Sequence, residues 1–369
     1  MKAENFNISR HKTRVLVCPL EWGLGHATRC IPIIHELIRL NCDVLIGAEA
    51  AAKDLLQQEF PELAFLQLKG YRMQYSRKKF WLPFKLLLQF PKMIRSVYNE
   101  HGWLKKTVKE NNIDLVISDN RFGLHHLTVP CIYITHQLTI KTGNSFTQWM
   151  AQKIHYHFIN KYNTCWVPDT ADKINLAGIL SHPERLPKTP VQYIGPLSRF
   201  EKTGLEKKYD IIIIISGPEP QRTIFEDFLF EQLETYTGKC LFIRGLPSNM
   251  QWRKCANTKI EIKDHLSSTE LNKAILQSEL VIGRSGYTTV MDLVKLGKKA
   301  ILIPTPGQTE QEYLAQDLME KEIFYCVDQN KFSLAIDIPN ANDFPFRFPA
   351  IKQDEYKKII EKFIGYQSL

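Results

Sequence analysis

Two groups of residues in this chain have the types and spacing to do chemistry. The first is Arg284-Ser285-Gly286-Tyr287, which follows the apolar run Glu279 to Ile282 and opens a helical pattern that contains Asp292. A strand that runs straight into a helix through such a turn aims several backbone N–H groups at one point. The positive end of the helix dipole adds to them, so an anion such as a diphosphate is expected there, with Arg284 supplying a guanidinium. Asp292, a turn or so further on, offers a carboxylate for two ribose hydroxyls. After the apolar strand Ala300 to Ile303, the loop from Pro306 to Glu312 supplies Glu310, Gln311 and Glu312, polar side chains suited to sugar hydroxyls. Together these features suit a nucleotide sugar.

The second group is Glu21-Trp22-Gly23-Leu24-Gly25-His26, at the end of the strand Arg14 to Cys18. Gly23 and Gly25 allow a ligand to approach the backbone closely. His26 titrates near neutrality and is placed to take a proton from an acceptor hydroxyl. Asp119, at the carboxyl end of the strand Asp114 to Ser118, lies where ligands gather in open α/β sheets. It either orients His26 as a dyad, acts as the base itself, or caps a helix expected over Arg121 to Leu127. His136 and Gln137 follow the strand Cys131 to Thr135 at the same sheet edge, as acceptor-cleft residues or as an ordinary polar loop. His125 and His126 fall on a short helical stretch whose spacing does not suit a metal. In Ser216-Gly217-Pro218-Glu219-Pro220-Gln221-Arg222, Ser216, Gly217 and Arg222 either reach the phosphates or form a rigid turn fixed by two prolines.

These residues need a scaffold, and the pattern supplies one twice. Short apolar runs without alternation recur between helical stretches, as in a parallel sheet covered on both faces. The first set comprises strands at Arg14 to Cys18, Asp43 to Gly47, Ala64 to Leu68, Asp114 to Ser118, Cys131 to Thr135 and Thr164 to Val167. Helices are expected over Thr28 to Leu40, Ala50 to Gln58, parts of Phe80 to Lys109, and Ser145 to Lys161. The second set has strands at 211–215, 240–243, 259–262, 279–282, 300–303 and 323–327, with helices at 221–235, 268–277, 286–296 and 309–320. Strand–helix alternation of this kind makes a doubly wound α/β domain. The chain therefore reads as two Rossmann-like domains, residues 1–196 and 197–369, with a hinge around 195–208. The last helical pattern, Glu355 to Ile364, is expected to cross back onto the first domain.

With its motifs in this order, the chain resembles GT-B glycosyltransferases, near the family of the N-acetylglucosaminyltransferase of peptidoglycan lipid synthesis. The glycine loop ending in His26, the Arg284-Ser285-Gly286 loop and Asp292 match that family's acceptor loop, donor-diphosphate loop and ribose acid, the last usually Glu. Gln311 and Glu312 match a Gln-Gln pair that reads the donor sugar. Ile194-Gly195 and Arg199 match its interdomain stretch, and His265 with Leu266 its nucleobase loop. The resemblance implies a facing pair of Rossmann-like domains, a UDP-linked donor and a glycan or lipid-linked acceptor. Two departures stand out: the first loop has fewer glycines than usual, and the second Gln is Glu312.

Composition narrows the alternatives. The chain has 369 residues, enough for two domains of roughly 150–200 residues. Its eight cysteines are scattered, several in apolar runs, which suits buried thiols rather than disulfides or a zinc site. No signal-type run opens the sequence and no apolar stretch reaches bilayer length, so a cytoplasmic location is expected. The net charge of +9 is concentrated between Arg72 and Lys109, around Phe80-Trp81-Leu82-Pro83-Phe84. Residues 77–95 read either as a segment lying on an anionic membrane or as a core helix with outward cationic heads. No nucleic-acid motif accompanies the charge. An Asp-x-Asp pair is absent from the sequence, so no metal or other cofactor is expected and fixed donors must stabilise the leaving diphosphate. Inversion at the anomeric carbon then follows from attack on the opposite face. A nucleotide-sugar 2-epimerase shares the fold but has an acidic loop in place of Arg284-Ser285-Gly286. A non-catalytic binding subunit is the other alternative.

Overall fold

The computed structural model describes residues 12–21, 23–71, 82–142, 144–246, 253–352 and 354–367. Trp22 and residues 77–81 of the basic aromatic segment lie outside the described residues. Two parallel sheets account for the framework. The first has seven strands: β1 (Arg14–Pro19), β2 (Asp43–Ala48), β3 (Ala64–Gln67), β4 (Leu115–Asp119), β5 (Cys131–Ile134), β6 (Thr164–Val167) and β7 (Val191–Tyr193), in the order 3-2-1-4-5-6-7. The second has six: β8 (Tyr209–Ile214), β9 (Cys240–Ile243), β10 (Ile260–Lys263), β11 (Ser278–Gly283), β12 (Ala300–Leu302) and β13 (Tyr325–Cys326), in the order 10-9-8-11-12-13. Because both faces of each sheet are covered by helices, the strands are apolar on both sides, as in the fully buried stretch Val15 to Cys18.

The direction of winding reverses between β1 and β4 in one sheet and between β8 and β11 in the other. Crossovers leave such a switch point in opposite directions, so the loops beyond the strand ends diverge and leave a crevice. Pro19 pairs with Asp119 at the end of the β1–β4 ladder, and Gly283 with Ile214 at the end of β11–β8. The glycine loop, Asp119, the Ser216 loop and the Arg284 loop thus all leave from switch points.

Helix α1 (Leu24–Arg39) lies over the first sheet with Ala27, Cys30, Ile31, Ile33, Ile34 and Leu37 buried. Two later helices also pack on it. These are α7 (Tyr287–Leu296) from the second domain and α10 (Glu355–Gln367) from the end of the chain. Phe363 of α10 meets Trp166 edge-on at 5.8 Å. One apolar core consequently runs from Val15 through Trp166 to Leu293 and Ile360, tying the halves together.

Several sequence expectations need adjusting. Residues 121–127 form turns rather than a helix, so Asp119 is not a helix cap, and His125 lies in a loop with its ring stacked on His101. The helical patches between 80 and 109 merge into one helix, α3 (Leu82–Asn111), which continues through Pro91. Strand β7 and helix α9 (Leu334–Asp343) have weak patterns and were not anticipated. All eight cysteines are free thiols. Among the described residues, no helix is long and apolar enough to cross a membrane.

Candidate active site

The glycine loop ends in a conformation that its residue types dictate. Gly23 is the N-cap of α1 with φ +77°, a region that penalises any side chain. Gly25 lies against the second domain: its carbonyl accepts from Thr288 Oγ1 at 3.1 Å, and a Cβ there would sit 3.2 Å from the same hydroxyl. The amino ends of α1 and α7 therefore meet across the interdomain crevice. Each carries first-turn N–H groups without intrahelical partners.

His26, in the first turn of α1, places Nδ1 3.1 Å from Asp119 Oδ2, so the two residues expected to form a dyad are in contact. The structure adds a member that the sequence reading missed. Arg29, one turn further along α1, donates from Nε to both oxygens of Asp119 at 3.0 and 2.9 Å, and from Nη2 to Oδ1. Its Nη2 is also 2.9 Å from His26 Nδ1, and its Nη1 is 3.0 Å from His136 Nδ1. His136 in turn reaches Glu310 of the second domain, Nε2 to Oε1, at 2.7 Å. Five side chains from both domains thus form one chain: His26, Asp119, Arg29, His136 and Glu310. The spacing His26-x-x-Arg29 puts both residues on one face of a helix, which is the signal that would have revealed Arg29.

Electrostatics separates their roles. Burial pushes the Asp119 carboxyl up, but Arg29 and His26 outweigh it and hold it below the usual carboxylate range. A fully buried, doubly bonded carboxylate of this kind is no base, which removes the reading of Asp119 as the proton acceptor. Burial lowers the His26 pKa, and the Arg29 charge lowers it further, against the pull of Asp119. That shift favours the neutral imidazole, the form a proton acceptor needs, and the side chain keeps 15% exposure. His136 stacks on Tyr287 at 4.3 Å, and Tyr287 donates to the carbonyl of Pro168. Gln137, half-buried, donates its N–H to Thr135 Oγ1 beside them.

On the donor side, several residues chosen for their polar heads are used as struts. Arg284 is only 2% exposed. Its guanidinium lies over Phe225 at 3.8 Å, with Nη1 3.2 Å from the Pro304 carbonyl and Nη2 3.4 Å from that of Gln221. Burial without a compensating acid lowers its pKa to about 9. It braces the loops around the α7 amino end from beneath rather than projecting into the crevice as expected. Arg222 is likewise turned inward, to Glu219 and Glu226 at 2.5 Å each and to the Arg244 carbonyl, so the expectation that it reaches a phosphate is corrected. Ser216 and Gly217 do remain exposed, with Gly217 at φ +109°.

Gln311 accepts from the Thr305 N–H at 2.9 Å, and its carbonyl accepts from Ser285 Oγ; Glu312 accepts from the Gly307 N–H at 3.0 Å. These bonds fix the loop before α8 (Thr309–Glu320) against the Ser285 turn. Asp292 accepts from Ser198 Oγ at 2.5 Å, and burial raises its pKa to about 6 against the pull of Arg199. Arg199 has a buried Nε without a hydrogen-bond partner among the described residues. His265, half-buried after β10 and followed by half-buried Leu266, feels the Arg199 charge, and burial together with that charge lowers its pKa.

Comparison with known proteins agrees with this architecture. Residues 247–344 match the model of the glycosyltransferase family 28 C-terminal domain. The chain has the GT-B fold, and part of its second domain resembles family 28 glycosyltransferases. It is 23% identical over 365 residues to the UDP-N-acetylglucosamine–N-acetylmuramyl-(pentapeptide) pyrophosphoryl-undecaprenol N-acetylglucosamine transferase of Exiguobacterium sibiricum, covering 86% of this chain and 93% of that one. Among solved structures, the glycosyltransferase SnogD from Streptomyces nogalater superposes with a TM-score of 0.63 at 12% identity, over 97% of this chain and all of that one. MurG of Acinetobacter baumannii gives 0.54 at 12% identity, over 96% of this chain and 100% of its own.

Proposed function

We propose that this glycosyltransferase moves a hexose from a UDP-linked donor to a hydroxyl of a glycan or lipid-linked acceptor, with inversion and without a metal. The observation that carries this reading is the contact of His26 with Asp119 at the head of α1, facing the amino end of α7 across the crevice. His26 Nε2 takes the acceptor proton as the hydroxyl attacks the anomeric carbon, and Asp119 orients the ring through Nδ1. The sugar–phosphate bond breaks on the opposite face, and its electrons leave with the diphosphate. The amides from Ser285 to Tyr287, leading into α7, and the helix dipole receive that charge, each well-placed donor contributing about 3 kcal/mol. Arg284 adds fixed positive charge below the loop. Asp292 and the His265–Leu266 loop hold the nucleoside, and Gln311 and Glu312 shape the sugar site. Gly23, Gly25, His136 and Gln137 border the acceptor.

We further propose peripheral attachment to the cytoplasmic face of an anionic membrane. Residues 77–95 supply the composition, and helix α4 (Ser145–Ile159) supports it by exposing Phe146, Trp149 and Met150, with Lys153 over the Trp149 ring. Transfer from labelled UDP-N-acetylglucosamine to a bacterial lipid extract, with and without EDTA, tests the central reading. EDTA-insensitive label in the lipid fraction supports it. A strict requirement for added divalent metal would defeat the metal-free mechanism.

A further inference from the structure

Arg244 directly follows β9 and is 4% exposed, too deep to meet a ligand in the crevice. Its guanidinium spans two acids from different elements. Nε donates to Glu226 Oε1 at 2.6 Å, and Nη1 donates to Asp264 Oδ1 at 2.7 Å. Glu226 lies on α5 (Gln221–Leu233) and is 1% exposed. Asp264, whose side chain is 33% exposed, follows β10 and opens the loop that carries His265 and Leu266. Backbone bonds repeat the connection. The Arg244 N–H donates to the Lys263 carbonyl at 2.9 Å, and the Leu246 N–H donates to the Asp264 carbonyl at 2.8 Å. Asp264 is therefore fastened to the end of β9 by both its main chain and its side chain. Gly245, between the two donors, has φ +69°, and a Cβ there would collide with the Ile215 carbonyl, so the turn is seated on the end of β8.

A loop at a strand end does not hold its own shape, and base selectivity demands that its groups stay where a particular base edge needs them. A planar guanidinium joined to two carboxylates fixes direction as well as distance. A buried ion pair adds little net stability over apolar packing, so direction is what this one supplies. Arg222 shares Glu226 but serves another purpose. Beyond Glu226 its bonds go to Glu219, to Thr223 and to the Arg244 carbonyl, which secure the turn before α5 and not Asp264. The loop also faces the ribose acid, since His265 and Asp292 both feel the charge of Arg199.

We infer that Arg244 is a positioning residue for the nucleobase: held by Glu226, it sets the Asp264–Leu266 loop through Asp264 and so determines how strongly one base is preferred over another. The inference rests on the reading that this loop holds the nucleoside. On the same reading the diphosphate lies at the amino end of α7, where Arg284 bonds the carbonyls of Pro304 and Gln221 and makes no use of Arg244. Base selectivity and diphosphate binding can therefore be separated.

The test is isothermal titration calorimetry of the full-length chain with UDP, CDP, GDP, ADP and inorganic pyrophosphate. Wild type should prefer one nucleotide. Arg244→Met and Asp264→Ala should each weaken that nucleotide about tenfold, the effect of one lost charge-assisted bond. Its affinity should approach that of the other three, while pyrophosphate stays within about twofold of wild type. The double variant should cost no more than either single one, because both break the same link. Asp264→Asn keeps an acceptor for Nη1 and should retain most of the preference. Arg244→Met leaves Glu226 paired with Arg222 and Arg253. If that variant does not fold, Asp264→Ala, at the partly exposed end of the link, decides the matter alone. A purely structural Arg244 would lower the denaturation midpoint and leave the ratio between nucleotides unchanged in folded Asp264→Ala, which overturns the inference. Failure of the nucleoside reading looks different: wild type itself would bind all four nucleotides no more tightly than pyrophosphate, and the inference would fall with it.

Discussion

The two sides of the crevice use polar side chains in opposite ways. On the first domain, the proposed chemistry resides in side chains, with His26, Asp119 and Arg29 aimed at one another from a helix and a neighbouring strand. On the second domain, Arg284, Gln311 and Glu312 hold backbone in place, and the features offered to a ligand are amides and a helix dipole. The contrast has a physical origin. Proton transfer needs a titratable atom at a defined point, whereas a diphosphate needs several donors at once, which a well-braced helix start provides with little reorganisation. Substitutions on the first side should therefore alter rate and pH dependence, and those on the second should alter stability and donor affinity together.

The sharpest break in that comparison comes from His26→Ala. Turnover should fall about 10²- to 10⁴-fold, the range for a lost general base, while the thermal shift induced by UDP stays as in wild type. A parallel loss of the UDP shift would show that His26 belongs to the donor side as well. Next in size is Asp292. Its folded pKa of about 6 exceeds the unfolded value near 3.9, so the folded state binds the proton more tightly. Stability from this group is full below about pH 4 and is lost as pH rises through about 6. At pH 7 the ionised carboxylate therefore destabilises the fold by roughly 2–3 kcal/mol. Asp292→Asn should raise Tm at pH 7, flatten the pH dependence of stability between 4 and 6, and weaken UDP binding, all readable by calorimetry. A lowered Tm at pH 7 would show that the Ser198 contact outweighs desolvation.

Arg284→Ala should lower stability by ~1–3 kcal/mol, the cost of leaving buried carbonyls unsatisfied, and weaken UDP binding through the loosened loop. If denaturant midpoints are unchanged while UDP affinity falls, Arg284 contacts the phosphates directly and is not a brace. Arg222→Gln should be milder for the ligand, leaving UDP affinity within about twofold because Arg244 still pairs with Glu226. Smallest of all, co-sedimentation with anionic liposomes should weaken severalfold between low and high salt, in keeping with screening of exposed charge. Indifference to liposomes would return the 77–95 segment and the α4 aromatics to packing roles.

Sequence by itself carried the doubly wound pattern, because buried parallel strands must be apolar runs and their crossovers amphipathic helices. It also located the loops at both switch points, since glycines and an abrupt change from strand to helix periodicity mark them. His26 was legible because a histidine directly after Gly-x-Gly has few structural reasons to be there. What a polar side chain turns toward was not legible. Arg284 and Arg222 look alike on paper, yet one braces carbonyls beneath a loop and the other lies between two glutamates. Arg29 shares a helix face with His26, but its bonds to Asp119 and His136 span 90 and 107 positions, so its role was not legible from that spacing alone. Periodicity is a property of neighbours along the chain. The direction of a guanidinium depends on which carboxylates and carbonyls the folded backbone brings within hydrogen-bond reach, and only the tertiary packing within each domain decided that.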